Sequence, residues 1–185
     1  MVLIKITTKH LLQVLHILSW IIFLGVSFEA GGFLCNTLYT YFINNSEATF
    51  YWANIDFTPL FRQDKGEFLV ITSLMTIAAI FKAILFYIII KVLLEQKLDL
   101  EQPFKPKIGR FIFSMSYVAF AIGLFSNWGA NYAEWLKGKG ITMPEIQHLR
   151  LAGADVWLFM GVVLFVIALI FKRGIEIQTE NDLTV

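Results

Sequence analysis

Phe68 to Leu94 reads FLVITSLMTIAAIFKAILFYIIIKVLL, and Lys82, near its middle, is the one charge in it far from either end. At about 1.5 Å per residue such a run is longer than the roughly 30 Å hydrocarbon layer of a bilayer. Hydrocarbon offers the backbone no water, so the run can sit there only as a helix whose amides are bonded within the segment. A lysine at that depth needs a partner.

Composition places the whole chain in the same class. Of 185 residues, 57% are hydrophobic, 16% aromatic and only 16% charged, too apolar for an ordinary water-soluble domain and expected of a polytopic membrane protein. A formal net charge of +1 argues against direct contact with nucleic acid, whose phosphates demand an excess of Lys and Arg. The single cysteine, Cys35, excludes an intrachain disulfide, a thiol redox pair and a cysteine zinc site. Phe33 and Leu34 before it do not suit a lipoprotein acceptor.

Outward from the central run, four spans are expected: residues 11–34, 68–94, 108–132 and 149–171. The first outlasts a typical signal-peptide core, and no A-x-A cleavage site follows it, the local text being SFEAGG. Residues 35–67 are polar but hold Tyr39, Tyr41, Phe42, Phe50, Tyr51, Trp52, Phe57 and Phe61, with turn formers Asn44, Asn45 and Pro59. This connection is expected to lie on the membrane face with its rings among the headgroups. Asn44-Asn45-Ser46 matches a glycosylation sequon, which matters only in a host that glycosylates. EQKLDLEQPFKPK, residues 95–107, is a loop because Pro103 and Pro106 lack amide donors. Residues 134–148, with Gly138, Gly140 and Pro144, form another.

Lys and Arg in the connections set the orientation. With the N-terminus cytoplasmic, that side carries Lys5, Lys9, Lys91, Lys97, Lys105, Lys107, Arg110, Lys172 and Arg173. The far side carries Arg62, Lys65, Lys137, Lys139 and Arg150. The expected fold is thus an all-α, integral membrane four-helix bundle with cytoplasmic termini and an aromatic-rich extracytoplasmic loop between helices one and two. A bacterial inner membrane is the expected location.

Three ionisable residues fall inside the expected spans: Lys82, Glu29 and Asp155. Such groups usually face a bundle interior and are paired. A Lys82 pair with Asp155 is the first expectation and with Glu29 the second, the lysine stem reaching about 6 Å along the helix. Glu29 shares a stripe with Gly25 and Gly32, and Lys82 with Met75, Ala78, Ala79 and Phe86. Helix three offers Ser116, Gly123, Asn127 and Ala130, so these small-residue stripes are expected to face a common interior. Such a pair either fixes helix register or lines a proton or solute path. His10, His16 and His148 lack the spacing of a metal or haem site. No nucleophile motif, zinc-protease motif or phosphate loop occurs, so no enzyme activity, metal or cofactor is expected.

The ending FKRGIEIQTENDLTV, together with LDLEQPFKPKIGRF before helix three, resembles the bacterial membrane family catalogued as domain of unknown function 2975. The resemblance covers nearly the whole chain, its specific parts being the PF loop and the ENDLTV terminus. It implies no established activity. It does imply a membrane component of a regulatory pair, because members are often encoded beside a small helix-turn-helix regulator. Two features depart from the family's usual pattern, the long aromatic outer loop and the charges within the spans.

Pro103, Phe104 and Pro106, with Glu180, Asn181, Asp182, Leu183, Thr184 and Val185, are then the expected docking surface for such a cytoplasmic partner. Glu176, Glu180 and Asp182 would meet a basic DNA-reading face while Ile177, Leu183 and Val185 fill an apolar groove. Two other readings stand beside it, a small transporter or channel using Lys82 with Asp155 or Glu29, and a structural subunit of a larger membrane complex. Membrane lipid is a partner in every reading; the oligomeric state stays open.

Overall fold

The computed structural model describes residues 8–43, 51–94 and 106–182. Five α-helices and one short 3-10 turn account for most of them: α1 (Thr8–Phe42), the turn Trp52–Asn54, α2 (Thr58–Gln63), α3 (Lys65–Leu94), α4 (Pro106–Gly138) and α5 (Ala154–Asp182). The only strand-like feature among these residues is an isolated antiparallel bridge between Tyr51 and Ile55. All four long helices are long and apolar enough to cross a membrane.

The boundaries follow from local chemistry. Asp64 Oδ1 accepts the N–H groups of Gly66 (2.7 Å) and Glu67 (3.2 Å) and so caps α3. Pro106 opens α4, where its missing amide costs nothing. Gly140, at φ +83°, lets the Ile141 N–H return to the Leu136 carbonyl and closes α4.

Four helix ends differ from expectation by five residues or more, among them that of α4, which runs on past Tyr132 to Gly138. The first helix runs on past Leu34 to Phe42, because Asn36 and Thr37 bond back to the carbonyls of Gly32 and Phe33, each at 2.7 Å. The last helix begins at Ala154 rather than Leu149, since Arg150 (φ +58°) and Gly153 (φ +76°) are in the left-handed region. It also continues past Phe171 to Asp182. There the Arg173 to Glu176 ion pair (3.0 Å) and the Thr179 bond to the Ile175 carbonyl (2.8 Å) support the extra turns.

Packing is serial. Helix α1 lies on α3, α3 on α4, and α4 on α5, and no other pair of long helices is in contact. The small-residue stripes therefore do not converge on one interior: nothing lies within 4 Å of a Cβ built on Gly25, and Asn127 is exposed. Instead the row is open, with α1 and α5 as its two edges.

Close approaches fix the α4/α5 register. A Cβ on Gly123 would stand 2.7 Å from Leu158, one on Gly161 would stand 2.9 Å from Phe120, and Ser116 Oγ donates to the Gly161 carbonyl at 2.9 Å. Residues 139–153 then fold back along α4, placing Leu151 against Gly129. Consequently α5 starts well below the end of α4.

A helix the length of α1 spans about 52 Å, far more than the roughly 30 Å of hydrocarbon. The surplus of α1, α3 and α4 gathers at one end with α2 and the segments 51–57 and 139–153. There the main core forms, from Phe33, Tyr51, Phe57, Leu60, Phe61, Phe68, Ile71, Leu136, Leu149 and Leu151 among others. The aromatic connection is thus not laid out on the membrane. Tyr51, Phe57 and Phe61 are buried and meet Phe68 edge-on, with centroids 5.1 to 6.1 Å apart. Tyr39 and Phe42 alone keep wide exposure among the described rings expected there, and Phe50 falls outside the described residues.

Candidate functional site

Where the packed head meets the row of helices, three charged side chains come together. Lys82 Nζ donates to the backbone carbonyl of Arg150 at 2.9 Å. Arg150 Nε in turn pairs with Glu29 Oε1 at 2.8 Å. Glu29 and Arg150 are also the charges close enough to act on Lys82. Three elements contribute: α1 supplies Glu29, α3 supplies Lys82, and the segment returning along α4 supplies Arg150.

Helix lengths give the depth of this cluster. From His10 to Glu29 along α1 is about 28 Å, and from Ala154 to Lys172 along α5 about 27 Å, each close to one hydrocarbon thickness. A hydrocarbon layer that begins at the level of His10 and Lys172 would therefore end near Glu29 and Arg150. Lys82 is rooted deeper and reaches toward that boundary along its aliphatic stem.

Two cations face one carboxylate, so the cluster carries an excess positive charge. Glu29 is largely covered, its side chain 20% exposed, while that of Arg150 is 60% exposed. The guanidinium approaches Glu29 at Nε, and its exposure leaves donor capacity beyond that pair. Ser126, fully buried and without a hydrogen-bond partner among the described residues, lies on α4 beside Phe125, which stacks on Phe81, the neighbour of Lys82.

Asp155 stands apart. It lies in the first turn of α5, exposed, and makes no ion pair or hydrogen bond with a described residue; its carboxylate suits the positive end of the helix. The expected Lys82 contact with Asp155 is replaced by the Arg150 carbonyl, because residues 149–153 form a turn rather than helix. Arg150 is the residue that sequence reasoning left out of the site. Its position puts it among the loop cations; its place between two leucines in HLRLAGAD is the available signal.

A second polar cluster lies in the head. Tyr132 donates to Glu67 Oε2, Lys139 Nζ lies 3.4 Å from Glu67 Oε1, and the same ammonium sits 3.4 Å over the Trp135 ring. Tyr51 donates to the Phe33 carbonyl at 2.9 Å and contacts Thr37 Oγ1 at 2.8 Å. Burial pushes its phenol above the ordinary range, and the Thr37 hydrogen bond pulls it back only in part. A groove of about 490 Å³ along α1, lined by Leu24, Phe28, Gly31, Cys35, Asn36 and Trp52 among others, carries no charged group.

At the opposite end of the helices, Pro106 is exposed at the start of α4, and α5 continues beyond it. Ile175 Cδ1 lies 3.3 Å from a Cβ built on Gly109, so the beginning of α4 and the last turns of α5 are neighbours. Glu180 is exposed there. Asn181 and Asp182 continue the helix, and Pro103, Phe104, Leu183, Thr184 and Val185 lie outside the described residues. Among the described residues no three His, Cys, Asp or Glu side chains are grouped to hold a metal.

A family model described as protein of unknown function DUF2975 matches residues 39–185, from the last turns of α1 through the end of the chain. The chain belongs to this family. The DUF2975 match includes Lys82, Arg150 and both parts of the opposite end, while Glu29 precedes it. No curated protein and no solved structure matched the chain. With four apolar helices, this DUF2975 member is a multi-pass membrane protein.

Proposed function

We propose that this protein is the membrane component of a regulatory pair in a bacterial cytoplasmic membrane, and that the end bearing Pro106 and the last turns of α5 docks a small helix-turn-helix regulator. The observation that carries this reading is the α4/α5 register. It brings the start of α4, next to the PFKP stretch, alongside the acidic and apolar end of α5, so two segments far apart in sequence form one surface. Glu180, together with Glu176 on the same face, which already pairs with Arg173, supplies negative charge toward a basic DNA-reading face, and Ile177, 46% exposed, supplies apolar area beside them. A regulator held there would compete with its own DNA site.

The excess of Lys and Arg at this end agrees with a cytoplasmic placement, which puts the head outside. Deleting Glu180 to Val185 is the direct test, with retention of the regulator on native membranes as the readout. Loss of retention is expected; full retention rejects this surface.

The union of Lys82, Arg150 and Glu29 favours one second reading, a small transporter working through that cluster. Purified protein in liposomes would then carry a proton or solute flux that Lys82→Ala abolishes.

A further inference from the structure

The Lys82, Arg150 and Glu29 cluster has the charge, depth and access of a headgroup site. We infer that Arg150, held by Lys82 and Glu29 at the head-side boundary of the apolar layer, binds the phosphodiester of an anionic phospholipid that enters laterally between α1 and α5.

Four observations meet here. The cluster holds two cations against one carboxylate, which leaves one positive charge to be neutralised. It stands about one hydrocarbon thickness from the His10 and Lys172 level, the depth at which lipid phosphates lie on the far leaflet. Access is open, because α1 and α5 do not touch and the Arg150 side chain is 60% exposed. Finally, Arg150 is fixed at its backbone. Arg150 has φ +58°, a conformation that costs a bulky residue energy and persists where its surroundings impose it.

The turn closed by Arg150 N–H to the Gln147 carbonyl (3.1 Å) and Leu151 N–H to the Ile146 carbonyl (3.2 Å) sets it. Lys82 bonds the Arg150 carbonyl, and Glu29 pairs with the guanidinium at Nε. An exposed guanidinium can pair two donors with two phosphate oxygens. Acyl chains below the headgroup would lie along the exposed apolar faces of α1 and α5, where Leu24, Phe28, Val156 and Phe159 stand near the same level. Lys82 and Glu29 are positioning residues here, and Arg150 makes the contact.

The test uses the full chain in nanodiscs containing phosphatidylglycerol and phosphatidylcholine, with the lipid retained after gentle extraction counted by native mass spectrometry. Phosphatidylglycerol is expected to be retained over phosphatidylcholine. Arg150→Gly removes the guanidinium and at the same time suits the left-handed backbone, so the fold is kept while retention falls about tenfold. Glu29→Gln keeps an acceptor for the Nε edge but removes the carboxylate charge that offsets the two cations, so retention rises. A merely structural ion pair predicts no such gain. Equal retention of the two lipids, or unchanged retention in Arg150→Gly, overturns the inference. So does displacement of the lipid by excess inorganic phosphate, which would assign the site to the free anion. Should Arg150→Gly fail to fold, Glu29→Gln decides alone, and unchanged or weaker retention there overturns it. None of these outcomes depends on regulator retention at the opposite end.

Discussion

The indole of Trp52 occupies the space in which a side chain on Gly32 would stand. Trp52 opens the turn between α1 and α2, and its seat on α1 locks the aromatic segment to the helix that precedes it. Gly32→Ala is expected to displace the ring and lower stability by about 1–3 kcal/mol, the usual cost of overpacking. A fall in thermal midpoint together with a shift in tryptophan emission would show both effects; an unchanged midpoint would mean that the ring moves aside at no cost.

Ala53 (φ 56°) and Asn54 (φ 60°) both occupy the left-handed region between the bridged residues Tyr51 and Ile55. This is the geometry of a tight primed turn, which asparagine tolerates and alanine does not. Ala53→Gly should therefore stabilise the head by about 0.5–1 kcal/mol, after the extra flexibility of glycine in the unfolded chain is subtracted. Thermal unfolding in detergent measures it, and a lower midpoint would contradict the turn assignment.

Tyr51 makes the head sensitive to alkali. Its folded pKa is raised by burial, so the folded state holds the phenolic proton more tightly than the unfolded state. The associated stability is complete below the ordinary tyrosine value of about 10 and is lost progressively as pH rises above it. Tyr51→Phe should cost about 1 kcal/mol at neutral pH through the lost bonds to Phe33 and Thr37, yet flatten the alkaline decline. Unfolding midpoints measured from pH 8 to pH 11, a range of roughly one unit or more either side of that value, would show the two curves converging.

Ser116 and Ser126 lie on the same helix, both fully buried, yet only Ser116 has a hydrogen-bond partner among the described residues. Ser116→Ala removes the bond to the Gly161 carbonyl between α4 and α5 and should cost about 0.6–1.7 kcal/mol. Ser126→Ala loses no hydrogen bond and should be neutral or stabilising. Equal losses in the two variants, measured by unfolding in mixed micelles, would refute the distinction.

Much of the architecture is legible in the sequence. The run containing Lys82 can be nothing but a spanning helix, and three more runs of similar character stand in the chain. Their ends are less legible. Asn36 and Thr37 look like loop residues because they are polar, but each bonds to the carbonyl four residues back and so stays within α1. The rings of Tyr51, Phe57 and Phe61 resemble an interfacial belt in composition, and only the overhang of α1, α3 and α4 beyond the apolar layer provides the room to bury them.

Residue types and run lengths alone determine that this chain crosses a membrane and that Lys82 needs a partner there, because the cost of bare amides and lone charges in hydrocarbon is independent of fold. Which group meets Lys82 depended on a turn. Arg150 and Gly153 adopt positive φ, residues 139–153 run back along α4, and an arginine carbonyl arrives where a carboxylate was expected. That outcome belongs to tertiary structure, since the depth of a side chain is set by how neighbouring segments pack and not by its place in the sequence.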